Sequence, residues 1–533
     1  MSIELIFLLI YFAAVIAIGL GVSRSTTQDR AGYLLGGRKL GAGVTALRLQ
    51  STSMSGYMFL GAGGLGYSQG YYGMWYALGD IGGGVLNLSI IGRRMRKLSH
   101  LLGSITSIGY LEHRYPSKWT RLVAAPIALF CMFFYVLAQL LAGGQGLSLV
   151  TGLDLNIALF IAIGVILAYT FLGGFLAVAY TNFLQSIIMV IGMLWIFIAT
   201  LQYVGGFTAG NEGLADLNEN LLTMWGAQGQ YFGQWGLILG ALLVFSIGYM
   251  GWPHVNVGHM SMRRASIARR AGLYATGFNF LFIPAAYIIG MMGLLIVPNL
   301  DDPELAIFEV AQTVLPPFAV GLVMAAIMAA IMSTADSLLL QTGTIASQDL
   351  WRRFIQKDLG ERSSVTISRI AILIVALIGL SFALIRPPGV FDVVVFATSV
   401  LGSAFVPVYV CAVWWKRANT PGAIVSMVSG TVAAVAAELL NTEEGIGLDA
   451  MVFGLTASII SLIVVSLATQ KSHPVPPRVL AAVEETMKVA PAPKRLLVGE
   501  DRTLSTQRPV TSDEERAGGE APSAETRRTD GDR

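Results

Sequence analysis

The chain has 533 residues, 54% of them hydrophobic and 13% charged, and a net charge of +3. Soluble domains carry about 25% charged residues, so this composition excludes an ordinary soluble protein and indicates many membrane spans. The small net charge gives no indication of a nucleic-acid partner. The cysteines, Cys131 and Cys411, lie in apolar segments, and the five histidines form no metal-ligand pattern. We therefore expect neither a disulfide framework nor a metal cluster.

Apolar segments separated by polar breaks predict about thirteen membrane-spanning helices. A helix of roughly 20 residues crosses the hydrocarbon core of a bilayer. The first segment lacks the basic start and the cleavage site of a signal peptide, so we expect it to be retained as a span. In chain order the predicted spans lie near residues 3–22, 41–69, 72–92, 122–147, 155–172, 174–203, 233–252, 271–297, 317–345, 366–385, 391–415, 420–438 and 449–468.

The charges of the connecting loops alternate along the chain. Basic residues follow the first, third, seventh, ninth and eleventh spans: Arg24, Arg30, Arg38, Lys39, Arg93, Arg94, Arg96, Lys97, Arg263, Arg264, Arg269, Arg270, Arg352, Arg353, Lys416 and Arg417. The alternate loops carry Arg386 as their one clear basic residue and the acidic residues Glu212, Asp216, Glu219, Asp301, Asp302, Glu304, Glu443 and Glu444. Because basic loops stay in the cytoplasm, this pattern predicts a multispanning protein of the cell membrane with its amino terminus outside and its carboxyl terminus in the cytoplasm.

The composition changes after the last predicted span. From about Lys471 the chain is rich in Pro, Ser, Thr, Glu and Arg and poor in aliphatic residues. Such a segment cannot bury enough apolar surface to order itself. The sequence therefore predicts a transmembrane domain over 1–468 and a cytoplasmic disordered tail over 469–533, with a short amphipathic helix near Val479–Val489.

Two predicted spans are interrupted by residues that disfavour a helix. The second contains Gln50–Gly56, QSTSMSG, and the seventh contains Ser246–Pro253, SIGYMGWP. Unwound backbone is tolerated inside a membrane where its carbonyl groups can bind an ion or a polar substrate. A simple kink is the alternative for either break alone. The matched pair, five spans apart in opposite orientation, favours the binding site of a secondary transporter with inverted repeats.

The ninth span, near Phe318–Gln341, is apolar except for one polar cluster. Four of its residues share a helical face because they recur three, four and seven positions apart: Ala330, Ser333, Thr334 and Ser337. Hydroxyl groups offer hard oxygen ligands to a cation, and the neighbouring Asp336 is an ionisable group inside the span, which favours a functional site. The alternative is a packing seam whose hydroxyl groups bond to the preceding turn.

These segments resemble the sodium:solute symporter family, most closely its sodium/proline and sodium/pantothenate branches. The matching segments are STSMSG at 51–56, GGFLAVAYTNFLQS at 173–186, GYMGWPH at 248–254, VLPPFAVGLVMAAIMAAIMSTADSLLLQ at 314–341 and WWKRANTPGA at 414–423. The resemblance covers about residues 1–468. It implies an all-helical membrane protein with about thirteen transmembrane helices. Helices two to six (41–203) and seven to eleven (233–415) would form a leucine-transporter-like inverted five-helix repeat.

The resemblance also implies positions for a sodium ion and for a solute. Sodium is expected at carbonyl groups of helix two and at a carbonyl and two hydroxyl groups of helix nine: Ser51, Met54, Ala330, Ser333 and Thr334. The expected substrate pocket comprises Ser53, Ser55, Tyr135, Phe245, Tyr249 and Trp252. Phe245 replaces a tryptophan of proline transporters, Ser53 replaces an aspartate, and Asn182 replaces an aspartate of many members. We therefore expect a pocket of different shape and charge.

The depth of two charged residues predicts a cytoplasmic gate. Arg48 lies three residues, about 4.5 Å, before Ser51, and Asp336 lies three residues after Ser333 in the antiparallel helix nine. We expect an ion pair between Arg48 and Asp336, direct or mediated by water or by Asn182, beneath the sodium site. One alternative is an Arg48 side chain that extends to the interface while Asp336 caps a backbone group. Another is an Arg48 that binds a substrate carboxylate.

Together these observations predict Na⁺-coupled uptake of a small organic solute, such as an amino acid, a carboxylate or a vitamin-like acid, by alternating access. Na⁺ is the expected coupling ion and the only expected metal. The expected partners are the solute and the lipid bilayer, and we expect the protein to act as a monomer and not as an enzyme. A proton-coupled carrier with Asp336 or Asp80 as the titrating group is one alternative. A transporter-like solute sensor is another.

Overall fold

The structure, a computed structural model, describes residues 3–25, 30–385 and 389–488. Within these ranges the chain is almost entirely helical, and Leu40 and Met262 form an isolated β-bridge. Nine helices of the described residues are long and apolar enough to cross a membrane. Four further crossings consist of shorter or interrupted helices, so the described part of the chain has the thirteen crossings that the sequence predicts.

We number the crossings α1 to α13 in chain order. The uninterrupted ones are α1 (Ile3–Ser25), α4 (Lys118–Thr151), α5 (Leu155–Ala168), α6 (Gly174–Tyr203), α8 (Ile267–Ile296), α9 (Pro317–Thr344), α10 (Glu361–Ala383), α11 (Val390–Trp414), α12 (Thr420–Leu439) and α13 (Ala450–Ala468). The interrupted ones are α2 (Ala42–Ser53, Gly56–Phe59 and Gly61–Gln69), α3 (Met74–Asn87, π-helical Leu88–Gly92 and Arg93–Leu101) and α7 (Trp235–Ser246, a 3₁₀ turn at Gly248–Gly251 and Pro253–Met260). Connecting helices occupy Arg30–Leu35, Ser107–Arg114, Phe207–Leu217, Ala306–Val314, Thr442–Ile446 and Pro477–Met487.

The break in α2 lies where the sequence predicts it. Met54 leaves the helical conformation, with φ −83° and ψ 73°. Ser55 caps the second half of the helix, because its Oγ accepts a hydrogen bond from the Tyr57 amide at 3.2 Å. A side-chain oxygen at this position pairs one of the amide groups that every helix start leaves without an intrahelical partner.

The break in α7 also follows from its local sequence. Trp252 is extended, with φ −79° and ψ 115°, and Pro253 occupies the first position of the second half. Proline favours that position because it lacks an amide hydrogen and its fixed φ suits a helix start. For the same reasons it cannot continue the helix that ends at Ser246.

The crossings differ in how much of their surface the protein itself covers. In the most apolar stretches of α9 and α11, 89% and 83% of the residues are buried, whereas α1 and α10 reach only 28%. Large apolar side chains such as Ile10 of α1 and Ile374 of α10 are exposed. A helix that is apolar all round and buried belongs to the core of its bundle. The polar cluster of α9 therefore lies at the centre of the protein and not in contact with lipid.

The described part of the tail packs on the bundle. Helix Pro477–Met487 overlaps the amphipathic helix predicted near Val479–Val489, and it buries Val479 and Val483 against the ends of α3 and α11. Because this apolar face is covered, the compact unit extends to the end of that helix, beyond the predicted boundary at residue 468. The disorder predicted for the tail after residue 488 lies outside the described residues.

Candidate cation site and substrate pocket

The hydroxyl groups on one face of α9 meet the last turn before the break in α2. Ser333 Oγ donates to the Ser51 carbonyl at 2.7 Å and lies 3.0 Å from the Ala330 carbonyl. Thr334 Oγ1 lies 3.0 Å from the Thr52 carbonyl, 3.4 Å from that of Ser51 and 3.2 Å from that of Ala330. Oxygen atoms from two helices thus converge in a region where all of these residues are fully buried.

Such a set of neutral oxygen atoms suits a small hard cation. Carbonyl and hydroxyl oxygens are hard ligands, and broken-helix transporters hold Na⁺ with carbonyl groups of this kind. Of the two α2 residues predicted to bind sodium, Ser51 is hydrogen-bonded to α9, whereas none of the described hydrogen bonds joins Met54 to α9. The Thr52 carbonyl contacts Thr334 instead. The sequence does not indicate the Thr52 carbonyl, because every residue has a backbone carbonyl and residue identity does not show which of them face a site.

Asn182 of α6 closes one side of this cluster. Its Nδ2 lies 3.1 Å from the Ser333 carbonyl, 3.2 Å from Thr52 Oγ1 and 3.0 Å from Ser337 Oγ. Ser337 Oγ in turn donates to the Asp336 carboxylate at 3.1 Å. One buried polar network therefore links α2, α6 and α9, and it contains two of the three predicted gate residues.

The third predicted gate residue, Arg48, is directed elsewhere. Its Nη2 donates to the His254 carbonyl at 3.2 Å, and its guanidinium lies 4.6 Å from the centroid of the Phe175 ring. Arg48 and Asp336, both described, form no ion pair, and no described contact joins Arg48 to Asn182. The predicted direct Arg48–Asp336 pair is therefore wrong, because depth along two helices does not fix the direction in which a side chain leaves its helix. Arg48 also does not extend to the interface, since it is only 2% exposed.

Aromatic side chains gather next to the two breaks. Tyr135 Oη of α4 donates to Ser55 Oγ at 3.2 Å, and the Tyr135 ring lies 5.1 Å from that of Trp252. The Trp252 ring lies 4.6 Å from the Tyr249 ring, which lies 5.9 Å from that of Phe245. All five side chains are buried. The structure thus brings together five of the six residues that the resemblance implies for the pocket.

Ser53, the sixth, does not contact this cluster through its hydroxyl group, which donates to the Leu49 carbonyl of its own helix at 2.9 Å. Two tyrosines that sequence analysis did not assign extend the cluster. The Tyr57 ring lies 4.6 Å from the Phe245 ring, and Tyr57 Oη lies 2.6 Å from Tyr287 Oη of α8. Tyr57 follows the break by one turn and could have been included, whereas nothing in the sequence around Tyr287 points to the pocket.

A cavity of about 570 Å³ lies beside the pocket, at the end of the bundle that carries the acidic loops. The rings of Tyr76 and Phe391 line it and lie 5.3 Å apart. The Phe391 ring lies 5.8 Å from that of Tyr57, and the Tyr76 ring lies 6.2 Å from that of Phe245, so rings that line the cavity contact rings of the aromatic cluster. The cavity, here called the vestibule, also has five carboxylate side chains in its lining: Asp302, Glu304, Asp392, Glu443 and Asp449.

The fold and the site together define a class of protein. Two broken helices, five crossings apart, surround buried oxygen ligands and an aromatic pocket inside a bundle of membrane-spanning helices. This is the architecture of a secondary transporter, which holds its solute and its coupling ion at broken helices between two repeats.

Comparison with known proteins identifies the family. The sodium:solute symporter family model matches residues 33–430, which is well over half of the chain, and the chain belongs to this family. The high-affinity proline transporter PutP of Bacillus subtilis (strain 168) is 31% identical over 83% of this chain and 94% of its own length. The osmoregulated proline transporter OpuE of the same organism is 29% identical over 92% of this chain and 99% of its own length.

Solved structures show the same fold. A Na⁺-coupled sialic acid symporter in a substrate-bound, outward-open state matches with a TM-score of 0.71 at 18% identity, over 88% of this chain and 98% of its own. Mhp1, a nucleobase-cation-symport-1 family transporter, matches with a TM-score of 0.56 at 15% identity, over 85% of this chain and 98% of its own. The chain therefore has the leucine-transporter fold, and as a family member it is a Na⁺-coupled solute symporter that works by alternating access.

Proposed function

We propose that this chain carries a small organic solute such as an amino acid into the cell, together with Na⁺ held between α2 and α9. The observation that supports this most directly is the convergence of Ser333 and Thr334 on the Ser51 carbonyl. It joins the hydroxyl face of one helix to the broken turn of another. The proposed sodium ligands are oxygen atoms of Ser51, Met54, Ala330, Ser333 and Thr334, with the Thr52 carbonyl beside them.

This position of the ion explains how sodium drives the conformational cycle. A ligand shifts an equilibrium between outward-facing and inward-facing states only if it binds the two states unequally. We assign α2 to the first repeat, 41–203, and α9 to the second, 233–415, so the ion is held by one helix from each. A movement of one repeat against the other separates the two sets of oxygen atoms, which weakens sodium binding in one state and couples the ion to the transition.

The charged loops support an orientation. We propose that the amino terminus lies outside and the carboxyl terminus in the cytoplasm, so that the vestibule and its carboxylates face the exterior. A cleft lined by one sign of charge raises the local concentration of the opposite ion, and this vestibule would collect Na⁺ near the pocket. Since both proposed sites lie within one chain, we propose that a monomer is sufficient.

We place the solute among the side chains at the two breaks: Ser53, Ser55, Tyr135, Phe245, Tyr249 and Trp252. The relatives are proline transporters by name. A phenyl ring at Phe245 is smaller than the indole of proline transporters, and Ser53 lacks the carboxylate found there. These departures favour a solute that differs from proline in shape or charge.

The polar network of Asn182 and Asp336 lies next to the proposed sodium ligands, and we propose that it closes the cytoplasmic exit in this state. Arg48 would support the closure from α7, because it ties α2 to the His254 carbonyl. In this arrangement Asn182 and Asp336 connect α2 with α6 and α9, and Arg48 connects α2 with α7. The three gate residues do not form one ion pair.

Reconstitution tests the proposal. The purified protein in sealed vesicles should accumulate one or more labelled amino acids when Na⁺ is imposed inward, and should not do so when K⁺ replaces Na⁺. Accumulation that follows a proton gradient with Na⁺ irrelevant would instead support the proton-coupled carrier with Asp336 or Asp80. A solute that binds but is never accumulated would support the sensor.

A further inference from the structure

Asp80 of α3 is a carboxylate in the substrate pocket that the proposed cycle does not use. It is fully buried, and Tyr249 Oη donates to one of its oxygen atoms. The other oxygen, Oδ2, has no hydrogen-bond partner among the described residues. A buried carboxylate is costly unless a positive charge or hydrogen-bond donors compensate it.

No cation among the described residues compensates this charge. No lysine, arginine or histidine of the described residues pairs with Asp80. Arg48, a buried arginine of α2, donates to the His254 carbonyl instead. Asp336, another buried carboxylate near the break, likewise has one oxygen without a described partner, but it accepts from Ser337 in the network next to the proposed sodium ligands and not from a pocket residue.

The surroundings of Asp80 suit an organic cation. Its carboxylate accepts from Tyr249 Oη, the Tyr249 ring lies 5.9 Å from that of Phe245, and the Phe245 ring lies 4.6 Å from that of Tyr57. Gly83, one turn further along α3, lies directly against the Tyr249 ring and the Phe245 carbonyl. A carboxylate beside several aromatic rings is the combination that binds an ammonium group, through a charge-assisted hydrogen bond and cation–π contacts.

The vestibule beside the pocket also favours positive charge. The described residues that line the vestibule include five carboxylates and no lysine or arginine, although Arg386, close in sequence to its rim, lies outside the described residues. An anionic solute would pass through a region of unfavourable potential, whereas a cationic or zwitterionic solute would not.

We propose that Asp80 binds the positively charged nitrogen of the solute, so that the substrates of this protein carry an ammonium group and are zwitterions or cations. The proposal rests on the proposed function and narrows it, because it excludes simple carboxylates and vitamin-like acids that lack a charged nitrogen. Tyr249 acts as a positioning residue that holds the carboxylate toward the pocket.

Thermal stabilisation of the purified protein tests this assignment. The probes are glycine betaine and the proteinogenic amino acids with uncharged side chains, each amino acid paired with its Nα-acetyl derivative, which keeps the carboxylate and loses the charged nitrogen. We expect stabilisation of the wild type only by probes with the charged nitrogen. In Asp80→Asn the half-saturating concentration of these probes should rise by about tenfold or more, as for loss of a hydrogen bond to a charged group. Asp358→Asn, which removes an exposed carboxylate, is the matched control and should leave it unchanged.

Several results would overturn the assignment. The first is that N-acetyl derivatives stabilise the protein as much as the amino acids do. The second is that no probe with a charged nitrogen stabilises it. The third is that Asp80→Asn binds these probes with unchanged affinity. A shift of the Na⁺ requirement without a shift of solute affinity would overturn it as well, since Asp80 would then serve the ion. If Asp80→Asn does not fold, the comparison of paired probes on the wild type decides. Each titration is run in NaCl and in KCl; equal binding in the two salts contradicts the symport proposal but leaves the Asp80 assignment standing.

Discussion

The contact between α2 and α9 and the pocket around Asp80 adjoin the same broken helix but treat buried polar atoms differently. At the contact, the hydroxyl groups of Ser333 and Thr334 both have backbone carbonyls as partners, although Asn182 Oδ1 and Asp336 Oδ2 beside them have no described partner. In the pocket, one Asp80 oxygen, Trp252 Nε1 and both ring nitrogens of His254 have no hydrogen-bond partner among the described residues. Buried polar atoms without partners are rare in folded proteins and call for an explanation.

The difference matches what each proposed site has to bind. A site for one small cation needs only a few neutral oxygen atoms, which a turn of α2 and two hydroxyl groups of α9 provide. A site for an organic solute has to match a particular shape and charge, and its polar atoms find their partners on the solute. By the resemblance of the sequence, the contact keeps the hydroxyl motif of the family, whereas the proposed pocket departs from the proline transporters at Phe245 and Ser53. Asp80 adjoins that pocket through Tyr249.

The largest expected effect comes from the close packing of α3 against the broken turn of α7. A methyl group added at Gly83 would collide with the Phe245 carbonyl and the Tyr249 ring. We expect Gly83→Ala to abolish solute binding and to lower the yield of folded protein, because backbone cannot move aside as a flexible side chain can. At the neighbouring Gly82 an added methyl group would meet only the Leu86 side chain at 3.7 Å.

Gly82→Ala is thus the matched control, since it makes the same change one residue away on the same helix. Size-exclusion chromatography and the binding titration should show normal behaviour for Gly82→Ala. Solute binding by Gly83→Ala at the wild-type level would mean that the pocket is not formed by the α3–α7 contact.

A smaller effect is expected when the hydroxyl group beside Asp80 is removed. Tyr249→Phe keeps the ring and loses the donor, so solute affinity should fall roughly three- to tenfold, the range for one hydrogen bond, while Na⁺ half-saturation stays constant. Tyr110→Phe removes another buried hydroxyl group, one that has no described partner, and should change neither constant. If Tyr249→Phe changed the Na⁺ half-saturation and left the solute affinity intact, the assignment of Tyr249 to the solute pocket would be wrong.

The smallest effect concerns the acidic vestibule. Burial raises the pKa of Asp449, which caps α13, to about 6, and the neighbouring charge of Glu438 adds to the increase. A raised carboxyl pKa lowers stability as pH rises from the unfolded value of 3.8 through the folded value, because the folded state binds the proton more tightly. Asp449→Asn keeps a capping oxygen and removes the charge. Its unfolding temperature should exceed that of the wild type by on the order of 3 °C at pH 8 and match it near pH 4.

Asp154→Asn, a change at an exposed helix cap, provides the control for that measurement and should change the unfolding temperature less at either pH. A constant difference between Asp449→Asn and the wild type from pH 4 to pH 8 would show that the vestibule does not disfavour negative charge.

Much of the fold and of the cation site could be predicted because their signals are local. Apolar length predicts the crossings, Ser55 and Pro253 mark the starts of the second half-helices, and the spacing of Ser333 and Thr334 places both hydroxyl groups on one face. The remainder depends on tertiary packing. The direction of Arg48 toward α7 follows from neighbours that are distant in sequence.

The pocket shows the same limit. The sequence indicates Asp80 only as a titrating group of the proton-coupled alternative, since nothing near it reveals that Tyr249, 169 positions away, donates to it. The contact of Tyr57 with Tyr287 likewise joins residues 230 positions apart. The proposed pocket is formed by side chains on several helices, so the sequence pattern of any one helix does not predict it.

The Na⁺ half-saturation of uptake in the double variant Ser333→Ala with Thr334→Ala tests the central claim most directly. Both hydroxyl groups are ligands in the proposed site, and their removal deletes small groups without opening a large cavity. We expect the half-saturating Na⁺ concentration to rise by about tenfold or more. The unfolding temperature in the absence of Na⁺ should fall by on the order of a few degrees, because the Ser51 and Thr52 carbonyls lose their hydroxyl partners. Thr344→Ala removes a hydroxyl group of the same helix that bonds only to the Leu340 carbonyl and should behave as wild type. A folded double variant whose Na⁺ half-saturation equals that of the wild type would show that the ion does not bind between α2 and α9.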